Sequence, residues 1–266
     1  ELSEKNFLKS IELSPKFEDP IKNLYSLYLK KKFFKKVLFY AKKLVEIDSS
    51  NNEYNYHLAY AHELNRNLNE TLEYYNKYIS LDGKNKKQAY NNIGCLYLQR
   101  NNPGQAKDFF LKGIDFGIDK IIVNNLLKSY ILLRDKKNSE IYFKKAENID
   151  KNFIEFKYNK AKYCILKDEI LKAIEILKEN INISQFFITF LILYSNIGRN
   201  EECNRLLDKS KNKVINEPEF LNYYGLKLLY EGNFKEGWKY YEYRNSKITD
   251  FFKDIKEWNG EKIDNK

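Results

Sequence analysis

The sequence predicts an all-α chain built from about seven helix–turn–helix units. Two observations carry this expectation. Only 4 Pro and 10 Gly occur in 266 residues, so there are few breaks, and long helical segments are favoured over many strand turns. A pattern of small and large residues also recurs along almost the whole chain. It is plainest in Tyr90 to Phe110, YNNIGCLYLQRNNPGQAKDFF. There Gly94 and Ala106 stand twelve residues apart, with Tyr97 between them and Phe110 after them.

The element order follows from that frame. Gly94 has counterparts in Ala59, Ala161 and Gly225. The small position of the second helix reads Thr71, Ala106, Ser139, Ala173, Cys203 and Gly237, with Val37 larger. Four residues on, a large slot reads Tyr75, Phe110, Phe143, Leu177, Leu207 and Tyr241, with Ala41 the exception. Small residues are needed where two helices cross closely, because a large side chain would hold the axes apart. Tyr25, Leu127 and Leu191 depart from the pattern, occupying first-helix slots where Gly or Ala is expected. The units fall at 18–51, 52–86, 87–119, 120–153, 154–183, 184–217 and 218–247. Residues 1–17 read as the second helix of a partial unit or an N-terminal cap, closed by Pro15. Residues 248–266 read as a capping segment or linker. Half a unit cannot bury its own apolar face, so the array is expected to continue before Glu1 unless Leu2 to Leu13 serve as a cap.

This frame resembles the tetratricopeptide repeat, in which W-x2-L-G-x2-Y in a first helix is followed by A-x3-F in a second. The match is closest at 87–119. The resemblance implies a right-handed superhelix, a solenoid that binds a peptide or protein ligand in a concave groove, with no catalytic machinery in this region.

Composition narrows the alternatives. The net charge is +10, with 47 basic residues against 37 acidic. Only 6 of the basic residues are Arg, and Asn, Ile and Tyr are abundant, the signature of a low-GC genome. Acidic residues are interspersed throughout. The Lys excess therefore reads as compositional, and no specific nucleic-acid partner is expected. The sharpest cluster, KKKFFKK at Lys30 to Lys36, falls at a turn between helices and reads as solvated, with phosphate binding the less favoured alternative. No apolar run approaches the ~20 residues that cross a bilayer, so no membrane insertion is expected.

Cys95, Cys164 and Cys203 form no CxxC pair, which points to neither a disulfide framework nor a zinc site and fits a reduced, cytoplasmic location. His57 and His62 are five apart, about 140° around a helix, and so do not share a face as metal ligands should. No cofactor is expected. No nucleophile–base pair or phosphate-cradling loop appears either.

Position six of each first helix points roughly 150° away from the packed stripe. It reads Asn23, His57, Asn92, Asn125, Asn159, Thr189 and Tyr223. Asn supplies 32 of 266 residues, so about one is expected in seven slots; four occur. A carboxamide both donates and accepts, and an evenly spaced row could hold the amides of an extended peptide. The row resembles the asparagine ladder of O-linked N-acetylglucosamine transferases. The proposed peptide contacts are Asn23, His57, Asn92, Asn125 and Asn159, with the last three expected to reach solvent along one groove.

The C-terminal end, Tyr230 to Lys266, resembles a bacterial signature, G-x-F-x-E-G-W-x-x-Y-E-x-R and then W-x-G-E. It is carried by Gly232, Phe234, Glu236, Gly237, Trp238, Tyr241, Glu242, Arg244, Trp258, Gly260 and Glu261. In that family the signature leads into a glycosyltransferase-like domain. The resemblance implies a fused glycosyltransferase domain beyond Lys266. A free-standing scaffold for complex assembly is the alternative, and a nucleic-acid-binding helical repeat is less favoured.

Overall fold

The computed structural model describes residues 2–199, 201–207 and 218–245. They form helices joined by short turns, with no strand among the described residues. In order these are α1 (Leu2–Leu13), α2 (Glu18–Lys30), α3 (Phe34–Ile47), α4 (Asn52–Leu64), α5 (Leu68–Ser80), α6 (Lys86–Gln99), α7 (Pro103–Ile114), α8 (Lys120–Leu132), α9 (Lys136–Asp150), α10 (Ile154–Leu166), α11 (Ile170–Glu179) and α12 (Ser184–Asn196). A helical stretch over 201–207, here α13, precedes α14 (Pro218–Tyr230) and α15 (Phe234–Tyr241). A 3-10 turn at Glu242–Asn245 closes the described chain. The chain divides into two compact units, 1–159 and 160–266.

In the first unit the helices pack as successive pairs: α2 with α3, α4 with α5, α6 with α7, and α8 with α9. The second helices α3, α5 and α7 also pack on the next first helices, α4, α6 and α8. The apolar stripes meet between them. Ile21, Leu24, Tyr25 and Tyr28 of α2 bury against Val37, Tyr40, Ala41 and Leu44 of α3, and α4 closes that cluster with Tyr54, Leu58 and Ala61. A second cluster joins Ala59 and Tyr75 to Ala89, Ile93 and Leu96 of α6. Fully burying one such side chain stabilises the fold by ~1.5–3 kcal/mol. The partial unit at the start holds on by Phe7 and Ile11, and by Glu4, which accepts from Tyr28 Oη and Lys31 Nζ, each at 2.6 Å.

Each pair closes through one residue in the left-handed region. Lys32, Arg66, Asn101, Arg134, Asp168, Gly198 and Gly232 have φ between +55° and +82°. They recur at intervals of 33 to 35 residues, with one interval of 30 between 168 and 198. After each, the next backbone N–H reaches the carbonyl five residues back, as Asn102 does to Tyr97 at 2.9 Å and Asp135 to Tyr130 at 3.0 Å. Such a bond stops the first helix. Where the following residue is Asn102, Asp135 or Asn233, its side chain caps the second helix by accepting from a backbone N–H three residues on.

The small residues sit at the crossings. A Cβ on Gly94 would lie 2.4 Å from the Phe110 ring, and Ala106 is wholly buried. In the second unit α14 packs on α15, and a Cβ on Gly225 would lie 2.4 Å from the Tyr241 backbone nitrogen. There α11 and α15 span only 10 and 8 residues, against 12 to 15 for α1 to α10, and α11 belongs to the short 154–183 unit. Cys164 and Cys203 are buried packing residues, and Cys203 Sγ lies 3.5 Å from the Leu191 carbonyl.

Gly94→Leu should drive a side chain into Phe110 and destabilise the fold by ~1–3 kcal/mol, read as a lowered midpoint in chemical denaturation. An unchanged midpoint would contradict this crossing. Arg134→Gly should act in the opposite sense. A side chain in the left-handed region costs roughly 1–2 kcal/mol, of which glycine's extra chain entropy returns about 0.5–1. The melting temperature should therefore rise by an amount corresponding to about 1 kcal/mol or less.

Candidate functional site

The first helices of the 1–159 unit carry the chemistry. Asn23 on α2 is exposed. His57 on α4 packs against Tyr25 in a tilted ring pair with centroids 4.8 Å apart, and its buried Nδ1 has no hydrogen-bond partner. Burial, only partly countered by the nearby Glu53 carboxylate, pulls its pKa below the ordinary histidine value. His62 shifts the same way, chiefly by burial. Its ring stacks on Tyr74 at 5.6 Å, and the Asn67 amide, 3.2 Å away, donates to Nδ1, which requires the neutral ring.

Asn92 on α6 is half-buried and satisfied from three sides. Its Nδ2 donates to Tyr75 Oη at 2.9 Å and to Tyr56 Oη at 3.4 Å, and its Oδ1 accepts from Gln88 Nε2 at 2.9 Å. Tyr75 Oη in turn donates to Glu63 Oε2 at 2.8 Å. Burial raises the Glu63 pKa, and the Tyr75 hydroxyl offsets part of that rise. Asn125 on α8 donates from Nδ2 to Asn91 Oδ1 at 2.8 Å and to Cys95 Sγ at 3.6 Å. Burial pushes the Cys95 thiol up to about 11, with the Glu63 carboxylate adding to it and Lys128 and Asn125 opposing. At neutral pH this thiol is protonated and a poor nucleophile. Asn159, near the middle of α10, is only 4% exposed and donates to the Asn124 carbonyl at 3.0 Å and Oδ1 at 3.4 Å.

These bonds form a seam with a regular register. Asn92, Asn125 and Asn159 reach back to residues 36, 34 and 35 positions earlier: Tyr56, Asn91 and Asn124, all on the preceding first helix. The expectation that all three would reach solvent needs correction. Asn159 is buried, and Asn92 and Asn125 spend both amide hydrogens on the unit before. A side chain pointing away from its own unit's packed stripe meets the neighbouring first helix, because first helices lie side by side, as α6 and α8 do. Sequence reasoning missed the partners Tyr56, Asn91 and Asn124, and with them Glu63 and Tyr75. The doublets Asn91-Asn92 and Asn124-Asn125, 33 residues apart, were the available signal.

Thr189, in the same slot of the second unit, bonds its own helix through the Gln185 carbonyl at 2.8 Å. Tyr223, the last slot, is pushed up to about 12, chiefly by burial. Among the described residues no group of three or more His, Cys, Asp or Glu side chains could hold a metal, and no helix is long and apolar enough to cross a membrane.

The titrations give a pH dependence. Because both histidines are neutral in the fold with lowered pKa values, the unfolded chain takes up more protons below its own histidine pKa, about 6.5. The stability these two residues contribute is therefore full above that pH and is lost as pH falls below about 6.5, through their lowered folded-state values. His57→Phe combined with His62→Phe should flatten the midpoint over that window. The same slope in the double variant would contradict it.

The family model described as tetratricopeptide repeat matches residues 87–116 and 122–153, which contain the two asparagine doublets. No curated relative matches the sequence. Among solved structures, a tetratricopeptide repeat protein from Parabacteroides merdae is 12% identical, covers 95% of this chain and 98% of its own, and superposes with a TM-score of 0.71. PilW, a type IV pilus biogenesis factor, is 13% identical over 76% of this chain and 96% of its own, with a TM-score of 0.63. Pseudomonas aeruginosa pilF is 15% identical over 76% and 94%, with a TM-score of 0.57. At these identities the likeness is one of fold. Residues 87–116 and 122–153 match the tetratricopeptide repeat by sequence, and the helix pairs share the fold of solved tetratricopeptide-repeat proteins.

Proposed function

We propose that the chain is a protein-interaction scaffold that receives an extended polypeptide along the first-helix face of residues 18–159. The observation that carries this reading is the line of half-buried Tyr56, Gln88, Asn92 and Asn125 over three successive first helices. Amide and hydroxyl groups on such a line can hydrogen-bond peptide backbone without demanding particular side chains. Exposed Asn23 and partly buried His57 extend the line at one end, and Asn159 sets its register at the other.

Binding and stability should separate by position. Asn23→Ala removes an exposed amide and should leave the midpoint within ~0.5 kcal/mol. Asn159→Ala should cost ~1–3 kcal/mol of stability, because it strips a buried hydrogen bond, and leave binding intact. Asn23→Ala combined with Gln88→Ala should weaken capture on an array of unstructured peptides by ~0.5–1.5 kcal/mol per lost bond. Capture equal to that of the unaltered chain would remove the first-helix face as the track.

A second reading places this region ahead of a glycosyltransferase-like domain, where it would position an acceptor polypeptide. It rests on the resemblance over Tyr230 to Lys266. Part of that resemblance has a packing explanation: Gly232 adopts φ +82° in a turn, and a Cβ on Gly237 would lie 2.8 Å from Leu229. Trp258, Gly260 and Glu261 lie outside the described residues. The coding sequence after Lys266 decides. A strand followed by a glycine-rich loop supports this reading, and a stop codon leaves the free-standing scaffold.

A further inference from the structure

From Pro20 to Val45 the sequence contains eight lysines and no aspartate or glutamate; the acid-free stretch from Gly83 to Lys107 has four lysines and one arginine. Half of these lysines, Lys35, Lys36, Lys42 and Lys43, gather on one side of α3. Its buried side is Val37, Tyr40, Ala41 and Leu44. At 100° per residue, Lys35, Lys36, Phe39, Lys42 and Lys43 fall within an arc of about 120° on the other side, and Lys32 lies in the turn just before the helix. Phe33, in the turn before α3, and Phe39 are each 52% exposed. The first acid is Glu46, in the last turn. The other second helices are interrupted earlier, by Glu70 in α5, Asp108 in α7 and Glu140 in α9. Outside the arc, Lys22 pairs with Glu18 and Lys31 with Glu4.

We propose that this stripe docks the protein on an anionic lipid bilayer. Along ~21 Å of helix, ammonium groups can reach lipid phosphates while Phe33 and Phe39 enter the headgroup boundary. The ring geometry favours lipid over nucleic acid. A base stacks on an open aromatic face, but the Lys43 ammonium lies over Phe39, 4.9 Å from its centroid. Lys36, which lies over Tyr28 at 4.4 Å and donates to its hydroxyl at 3.3 Å, also approaches Phe33 at 5.9 Å. Tyr40 meets Phe39 edge-on at 5.1 Å. Cations clustered around phenyl rings suit a surface that offers both phosphate and hydrocarbon. The stripe belongs to a second helix and leaves the first-helix face available.

The test is co-sedimentation of the full chain with vesicles of phosphatidylcholine alone or mixed with phosphatidylglycerol. Binding should require phosphatidylglycerol and fade as salt rises. Each lysine at an anionic surface contributes about fivefold in partitioning, so Lys32→Ser, Lys35→Ser and Lys42→Ser together should weaken binding by about 100-fold. Phe33→Ser with Phe39→Ser should weaken it at unchanged charge. All five positions are exposed, so circular dichroism and the melting temperature should match the unaltered chain. Lys84→Ser, Lys137→Ser and Lys151→Ser, also exposed, lower the net charge equally and should bind as the unaltered chain does. Equal loss in that control, equal binding to pure phosphatidylcholine, or full displacement from vesicles by single-stranded RNA at matched charge would overturn the proposal.

Discussion

One backbone hydrogen bond sets the terms for the rest of the structure. In every described turn between a first and a second helix, the N–H after the left-handed residue reaches the carbonyl five residues back. It runs from Phe33 to Tyr28, Asn67 to His62, Asn102 to Tyr97, Asp135 to Tyr130, Glu169 to Cys164, Arg199 to Tyr194 and Asn233 to Leu228, always at 2.9–3.0 Å. A turn this short leaves the second helix little freedom, so it must fold back with one residue of each helix at the crossing. The cost of a left-handed residue is accepted at Lys32, Arg66, Arg134 and Asp168. It is outweighed by the burial that the turn makes possible.

Given that turn, packing reduces to matching volumes across the crossing. At α6 and α7 the first helix supplies nothing, Gly94, and the second supplies Phe110, which is fully buried. At α2 and α3 the assignment is reversed. Tyr25 stands in the small slot and Ala41 in the large one, and both are buried in one cluster. The two departures from the repeat pattern compensate one another, since close-packed interiors tolerate exchanges that conserve volume. Leu127 and Leu191, also larger than the pattern asks, are likewise wholly buried.

This explains what could be read from the sequence and what could not. Slot phase was legible, because burial within a pair follows from helix geometry alone: Gly94, Ala106 and Phe110 sit where spacing puts them. The turn residues were legible only in part. Gly198, Gly232 and Asn101 are types that favour the left-handed region, but Lys32 and Arg134 give no such signal and are held there by the fold. The asparagines failed as solvent-facing residues for a different reason. Whether position six meets solvent depends on the neighbouring unit, and one helix's periodicity says nothing about how closely the next first helix lies. Glu63 shows the same limit. Its burial comes from Tyr75 on α5 and the packing of α6, neither of which is visible in its own helix.

The seam constrains any ligand on the first-helix face. Asn92 and Asn125 have committed both amide hydrogens to the preceding unit. A peptide that took those hydrogens would have to break bonds that hold neighbouring units in register. Exchanging one hydrogen bond for another gains little net free energy, and the displaced Asn91 Oδ1 would lose its donor inside a buried residue. Affinity must therefore come from groups the seam leaves over: Asn23, the edge of His57, and the outward faces of Tyr56 and Gln88. The amides then serve binding indirectly. By fixing the distance between successive first helices, they set the spacing at which those remaining groups are offered, so a rigid seam is a condition for a regular track rather than a competitor to it.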